Sequence, residues 1–255
     1  MRARDIIPLA IIAPLALFVA ALVIESPTYV PPVAPGDRPG ELPGGGTAQG
    51  AVALATTDVA AGRAAAAARR SALEATRGDA YLAMLIDEGE RMLTRWPNAE
   101  PVSVWVAPRS SLRGWHPRMV AAAREAFDRW RGVAGVQFRF VEDSANAAVV
   151  VSWRDRFAEG RTVGHARRHF DGGGWIRKAE VELAIHGPDR QLLSPELVRA
   201  AALHEVGHVI GLPHSDQPDD IMAPAHAGSI IHLSLRDEST AALLYGMGPG
   251  PLGAR

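Results

Sequence analysis

HEVGHVIGLPH, residues 204–214, decides how this chain folds. On a helix, residues four apart share a face, so His204 and His208 can aim both imidazoles at one metal ion. Glu205 is displaced round the helix from that pair, toward the coordination position left open rather than into the ligand set. Gly211 can take the left-handed conformation that ends a helix and turns the chain sharply. That turn returns His214 as a third ligand. A zinc ion held this way lowers the pKa of water to about 7 and polarises a carbonyl, with Glu205 placed to accept a proton and pass it to a leaving amine. The plainer alternative is an amphipathic helix whose histidines pack or face solvent. Five fixed positions of these residue types arise by chance in only about one in ten thousand chains of this composition, so the spacing favours a metal site.

The sequel strengthens that reading. HSDQPDDIMAPAH, residues 214–226, places Met222 eight residues after the third histidine. With these features the chain resembles the metzincin zinc metallopeptidases, and among them the matrixins, in which Gly-Leu-x-His-Ser and Met-x-Pro are typical. The resemblance implies an α+β fold with a twisted mixed sheet, an active-site helix, a Met-turn and a C-terminal helix. It implies one catalytic zinc on His204, His208 and His214, with Glu205 as the catalytic residue and Met222 beneath the histidines without binding the ion. It also makes Ala223-Pro224 the start of a wall of the pocket for the substrate residue after the scissile bond; matrixins commonly carry tyrosine where Ala223 stands. It extends from about Pro97 to Gly246, specific at the zinc helix and its sequel and only pattern-level upstream.

Secondary metals are weakly supported. The Phe170–Gly174 run FDGGG superficially resembles a calcium loop, and His165 stands where one structural-zinc ligand would be, but carboxylates and imidazoles are too few. Calcium is therefore a weak addition to the single zinc. His116, His169, His186, His226 and His232 read as surface or hydrogen-bonded residues.

Working outward, the 255 residues suffice for one catalytic domain and a tether, and the formal charge of −1 argues for no nucleic-acid partner. The chain has no cysteine, which excludes disulfides, thiolate ligands and the propeptide cysteine that blocks zinc in many matrixins. Residues 1–25 read as a membrane anchor or export signal. Arginines at 2 and 4 precede a 19-residue run, Ile6 to Ile24, of apolar residues and two prolines. That length approaches the roughly 20 residues a helix needs to cross a bilayer, and the arginines orient the rest of the chain outward. An uncleaved anchor and a cleaved signal both fit; no clean small-x-small cleavage site follows the run.

Residues 26–50 form a Pro/Gly-rich linker. Residues 51–96 form an Ala-rich arm, helical or partly disordered to Arg77, then a helix from Asp79 to Trp96 with Leu82, Leu85, Ile86, Leu93 and Trp96 near one face. A brace against the catalytic domain is the expected role, beside a prosegment or a coiled-coil arm. The metallopeptidase domain spans 97–248 and a tail 249–255. Within the domain the patterns predict strands at Val102–Val106, Val136–Val141, Ala147–Trp153, Thr162–Phe170 and Ile176–Ile185. Helices follow over Pro117–Arg131, from Ser194-Pro195 through the metal motif, and from Ser234 to a stop at Gly246. The strand through Val163 and Gly164 is the candidate edge to pair with an extended substrate; an edge merely kept soluble by Arg167 and Arg168 is the alternative. One aspartate, Asp237, stands near the start of the last helix.

The expectation is a zinc-dependent endopeptidase cutting a protein or peptide substrate outside the cytoplasm, tethered to the membrane by its N-terminal helix, with oligomeric state unspecified. Two alternatives remain. One is a non-catalytic module that binds peptide or protein at the cell surface; the other is a zinc hydrolase acting on small or peptidoglycan-linked amides.

Overall fold

The computed structural model describes residues 48–158, 162–224 and 231–253, with side chains from residue 59 onward. The expected anchor, most of the linker and His226 lie outside these residues. No helix among the described residues is long and apolar enough to cross a membrane.

Helix α1, Ala48–Ala75, opens the described chain, followed by the short α2, Met84–Asp87, and β1, Met92–Leu93. Then come β2 (Val102–Val106), α3 (Pro117–Trp130), β3 (Phe138–Phe140), β4 (Val149–Arg154), β5 (Gly164–Phe170) and β6 (Ile176–Ala184). Helix α4 (Pro195–Ile210) carries the metal motif, and α5 (Leu235–Gly246) and β7 (Gly250–Pro251) close the fold. Five strands form one sheet in the order β3-β2-β4-β6-β5. The first four run parallel and β5 runs antiparallel to β6, so the sheet is mixed and β5 is an edge. Parallel neighbours need crossover connections, and α3 supplies the one between β2 and β3.

The helices form where the local chemistry favours them. Pro117 sits in the first turn of α3, and His116 caps it by accepting the Arg118 N–H. Ser194 accepts the Leu197 N–H at the start of α4, with Pro195 and Glu196 behind it. Ser234 and Asp237 make a reciprocal capping box on α5, which runs through Gly246 and is capped by Met247. Nearly every residue of α4 from Val198 to Ile210 is buried, as expected of a central helix rather than a surface one. It packs against α3, β5 and β6. Ala200, Ala201 and Ala202 keep that approach close.

The arm departs from expectation. The chain from Asp79 to Trp96 is not one helix: it is a turn, four helical residues, a left-handed Gly89 at φ 82° and a strand. Leu82, Leu85, Ile86, Leu93 and Trp96 are all buried, but in the same core as β2, α3 and α4. Their spacing matches a helix face by coincidence, because the contacts that bury them are long-range. Strand β1 pairs antiparallel with β7, Met92 opposite Pro251 and Leu93 opposite Gly250. Arg69 on α1 donates to the Gly248 and Pro251 carbonyls, and Arg70 to those of Leu252 and Gly253. Residues on both sides of Pro97, and the C-terminal strand, thus share one core.

Leu82 is 0% exposed, so Leu82→Ala should destabilise the chain by about 2–5 kcal/mol in urea unfolding. A loss below about 0.5 kcal/mol would show the arm to be peripheral.

Candidate metal centre

Helix α4 ends where the motif requires. Gly211 adopts φ 112°, and its N–H closes the last turn on His208 O at 3.0 Å. A β-carbon here would overlap the Thr94 carbonyl beside β1, so both the backbone conformation and the space demand glycine. The turn brings His214 back over the helix. The ligand-capable atoms of His204, His208 and His214 lie within 4.8 Å of one another, and all three side chains are buried.

Hydrogen bonding orients the first two rings. His204 Nδ1 lies 2.7 Å from Ile221 O, and His208 Nδ1 lies 2.9 Å from Leu212 O. A carbonyl only accepts, so each Nδ1 carries the proton and each Nε2 is left with its lone pair. Those two Nε2 atoms face each other at 3.1 Å, and the buried Nε2 of His214 has no hydrogen-bond partner among the described residues. With the unpartnered His214 nitrogen, the two lone pairs form a cluster of ring nitrogens that a cation satisfies. Donors placed tetrahedrally about 2.0–2.1 Å from zinc stand about 3.3 Å apart, close to the 3.1 Å between the His204 and His208 nitrogens. Burial, then the neighbouring imidazoles and Arg168, hold the His208 pKa well below the ordinary histidine value, which favours the neutral form a metal needs. The residues fit zinc.

Glu205 lies beside this cluster, 2% exposed. Its Oε2 is buried with no hydrogen-bond partner among the described residues. Burial pushes its carboxyl up to about 8, opposed by a hydrogen bond from the Ala166 backbone. A cation held by the three histidines would pull it back down by favouring the carboxylate. The edge strand covers it closely: a β-carbon at Gly164 would stand 2.5 Å from Glu205 Oε1. Glycine there lets β5 lie directly over the carboxylate.

Met222 is 0% exposed and packs against α4. Its sulfur touches the helix at Gly207, where a β-carbon would overlap it. The segment bearing Met222 is held by Asp237, whose carboxylate accepts the Ile221 N–H at 2.9 Å, the Ser234 N–H at 2.8 Å and the Tyr81 hydroxyl at 2.7 Å. Asp220 accepts from Ser215, Ser234 and Arg236 nearby. Asp237 is therefore more than a helix-start carboxylate. It carries a hydrogen-bond path from Tyr81 through Ile221 to His204.

The structure brings His204, His208 and His214 together and buries Glu205 on the same helix. Gly164, Gly207, Tyr81 and Arg168 were not anticipated in these roles. Arg168 reads as a solubilising edge residue, yet its guanidinium turns inward and donates to the His208 carbonyl, whereas Arg167 is exposed. Only Gly207, inside the motif, carried a local signal: a glycine in mid-helix is costly unless space requires it. At the FDGGG turn, Asp171 accepts from the Gly173 and Trp175 N–H groups and from Arg177. His186 meets Asp155 at 2.9 Å. Ala223 is buried beside Met222, and the pocket wall expected beyond Pro224 falls in residues 225–230, outside the described set.

The matrixin family model matches residues 110–246, more than half of the chain. Matrix metalloproteinase-19 of Homo sapiens is 32% identical over 136 residues, covering 49% of this chain and 26% of that protein. Matrix metalloproteinase-21 of Homo sapiens is 32% identical over 130 residues, 48% of this chain and 22% of that protein. Metalloendoproteinase 5-MMP of Arabidopsis thaliana is 29% identical over 174 residues, 61% of this chain and 46% of that protein. The chain thus spans about a quarter of the length of the two human relatives.

Gly207 and Met222 share one space, so their substitutions should not add. Gly207→Ala alone should cost about 1–3 kcal/mol by overpacking, and Met222→Ala about 2–5 kcal/mol by leaving a cavity. The double variant should lose at least about 1 kcal/mol less than the sum in urea unfolding; additivity within about 0.5 kcal/mol would contradict the contact.

Proposed function

The chain belongs to the matrixin family, and on that premise we propose that it is a zinc-dependent endopeptidase using Glu205 as general base and acid. The observation that carries the proposal is a buried carboxylate with an unpartnered oxygen, borne on the helix turn that carries His204 and His208 of three clustered imidazoles. His204, His208 and His214 would hold the ion. When bound, zinc would supply Lewis-acid polarisation of the scissile carbonyl and make water a competent nucleophile near neutral pH.

The protein's own groups do the rest. Glu205 takes the proton of the attacking water on its free carboxylate oxygen and returns it to the departing amine. A retained base argues against a module that only binds peptide, since binding needs no proton acceptor at this position. Edge strand β5 offers main-chain groups to an extended substrate, and Gly164 keeps side-chain bulk out of the space over Glu205. Pairing of this kind suits a polypeptide better than a small amide. The path from Tyr81 through Asp237 and Ile221 fixes the His204 ring, so the arm belongs to the catalytic unit.

The segment Ile6–Ile24, preceded by arginines at 2 and 4, supports export of this unit to the outside of the cytoplasm, with that segment as a membrane anchor or as a signal.

The full-length chain should cut peptides internally in a mixed library, and a chelator should stop it. Glu205→Ala should lower kcat/KM by at least about 1,000-fold while zinc stays bound one per chain by elemental analysis. Full activity in that variant would refute the mechanism, and binding without any cut by the natural chain would favour the peptide-binding module.

A further inference from the structure

A histidine that binds a metal through one ring nitrogen is held in place by what its other nitrogen meets. His204 and His208 both meet main-chain carbonyls. His214, beyond the end of α4, has no helix to brace it. Beside its Nδ1 stands a carboxylate from far upstream: Glu88 Oε1, 3.7 Å away.

The place of Glu88 is built by the fold. It caps α2, with its N–H on Met84 O at 2.8 Å. The two residues after it complete a six-residue turn: Glu90 N–H donates to Leu85 O at 2.8 Å and Gly89 N–H to Ile86 O at 3.2 Å, with Gly89 left-handed at φ 82°. This glycine-terminated arrangement fixes the direction in which the cap residue projects. Leu85 and Ile86, each 3% exposed, anchor the turn in the core. The Glu88 side chain is 28% exposed and His214's is 11% exposed, so the pair is shielded from water. Glu88 and Glu90 also lie in the field of Arg168, the guanidinium that donates to the His208 carbonyl. One short stretch of the arm thus stands beside the His214 ring and in the field of the guanidinium that holds the His208 main chain.

We propose that Glu88 is a positioning residue for the metal centre: its carboxylate accepts the His214 Nδ1–H and keeps Nε2 aimed at the ion. A separation of 3.7 Å is an ion-pair distance, longer than a hydrogen bond. Coordination at Nε2 makes the Nδ1–H a stronger donor and draws the two together. Glu88 lies upstream of the matched residues 110–246, so the catalytic unit of this chain recruits an outer ligand partner from its own arm.

This inference rests on the zinc reading above, and the experiment separates the two. Zinc affinity of the full chain is measured by competition with a chromophoric chelator, and the cobalt-substituted protein is compared by its visible spectrum. Glu88→Ala should weaken zinc at least about 10-fold and alter the cobalt bands. Glu88→Gln, which keeps an acceptor oxygen, should stay within about 3-fold of the natural chain. A residue serving only as a counter-ion to Arg168 would instead give equal losses in both. Glu88→Ser, too short to reach the ring, repeats the truncation should the alanine variant melt below the assay temperature. Natural affinity in both truncations, or a glutamine variant as weak as alanine, overturns the role of Glu88 alone. A natural chain that binds no zinc, or a His214→Ala variant that binds as tightly, overturns the metal reading itself.

Discussion

Three buried imidazoles with their ring nitrogens converging are an arrangement that a cation makes favourable. In water each lone pair would be hydrated; buried and facing one another, they repel and lose that hydration. The His204 and His208 tautomers are fixed by carbonyls behind them, so neither ring can turn its proton inward to relieve the cluster. The surrounding fold serves mainly to enforce this unfavourable convergence until an ion occupies it.

The enforcement is distributed around α4. Trp130 on α3 donates its indole N–H to Leu203 O, Trp96 of the arm to Val209 O, and Tyr245 on α5 its hydroxyl to Ile210 O. With Arg168 from β5, four separate elements thus grip the helix main chain near the metal motif. Gly207 and Gly211 mark where neighbours come too close for any side chain: the Met222 sulfur under one, the Thr94 carbonyl over the other. A rigid helix held from all sides keeps His204, His208 and Glu205 in fixed relation, which is the condition for a preorganised site. Glu205 fits this pattern, since the same burial that raises its pKa also keeps competing hydrogen-bond donors away from its free oxygen.

How much of this was legible in the sequence follows from how local each feature is. The motif is local, so the convergence of its three histidines and the Gly211 turn were readable. Strands and helices between Val102 and Gly246 followed their alternation and caps, with ends differing by one or two residues. The arm was misread because the spacing of Leu82, Leu85, Ile86, Leu93 and Trp96 imitates a helix face, whereas Gly89 and the pairing of β1 with β7 break it. That pairing joins residues more than 150 positions apart and leaves no local trace. Tyr81 on Asp237 and Glu88 beside His214 likewise join distant positions without a local trace. Arg168 misled for a different reason: in an edge strand the alternation places every second residue inward, and composition alone favours reading an arginine outward.

The most direct test of the account is X-ray absorption at the zinc edge of the purified full-length chain. It should give one zinc per chain with three imidazole nitrogens at about 2.0–2.1 Å. Fewer than three imidazoles around the ion, or an ion retained with unchanged coordination when His204, His208 and His214 are replaced together, would contradict it.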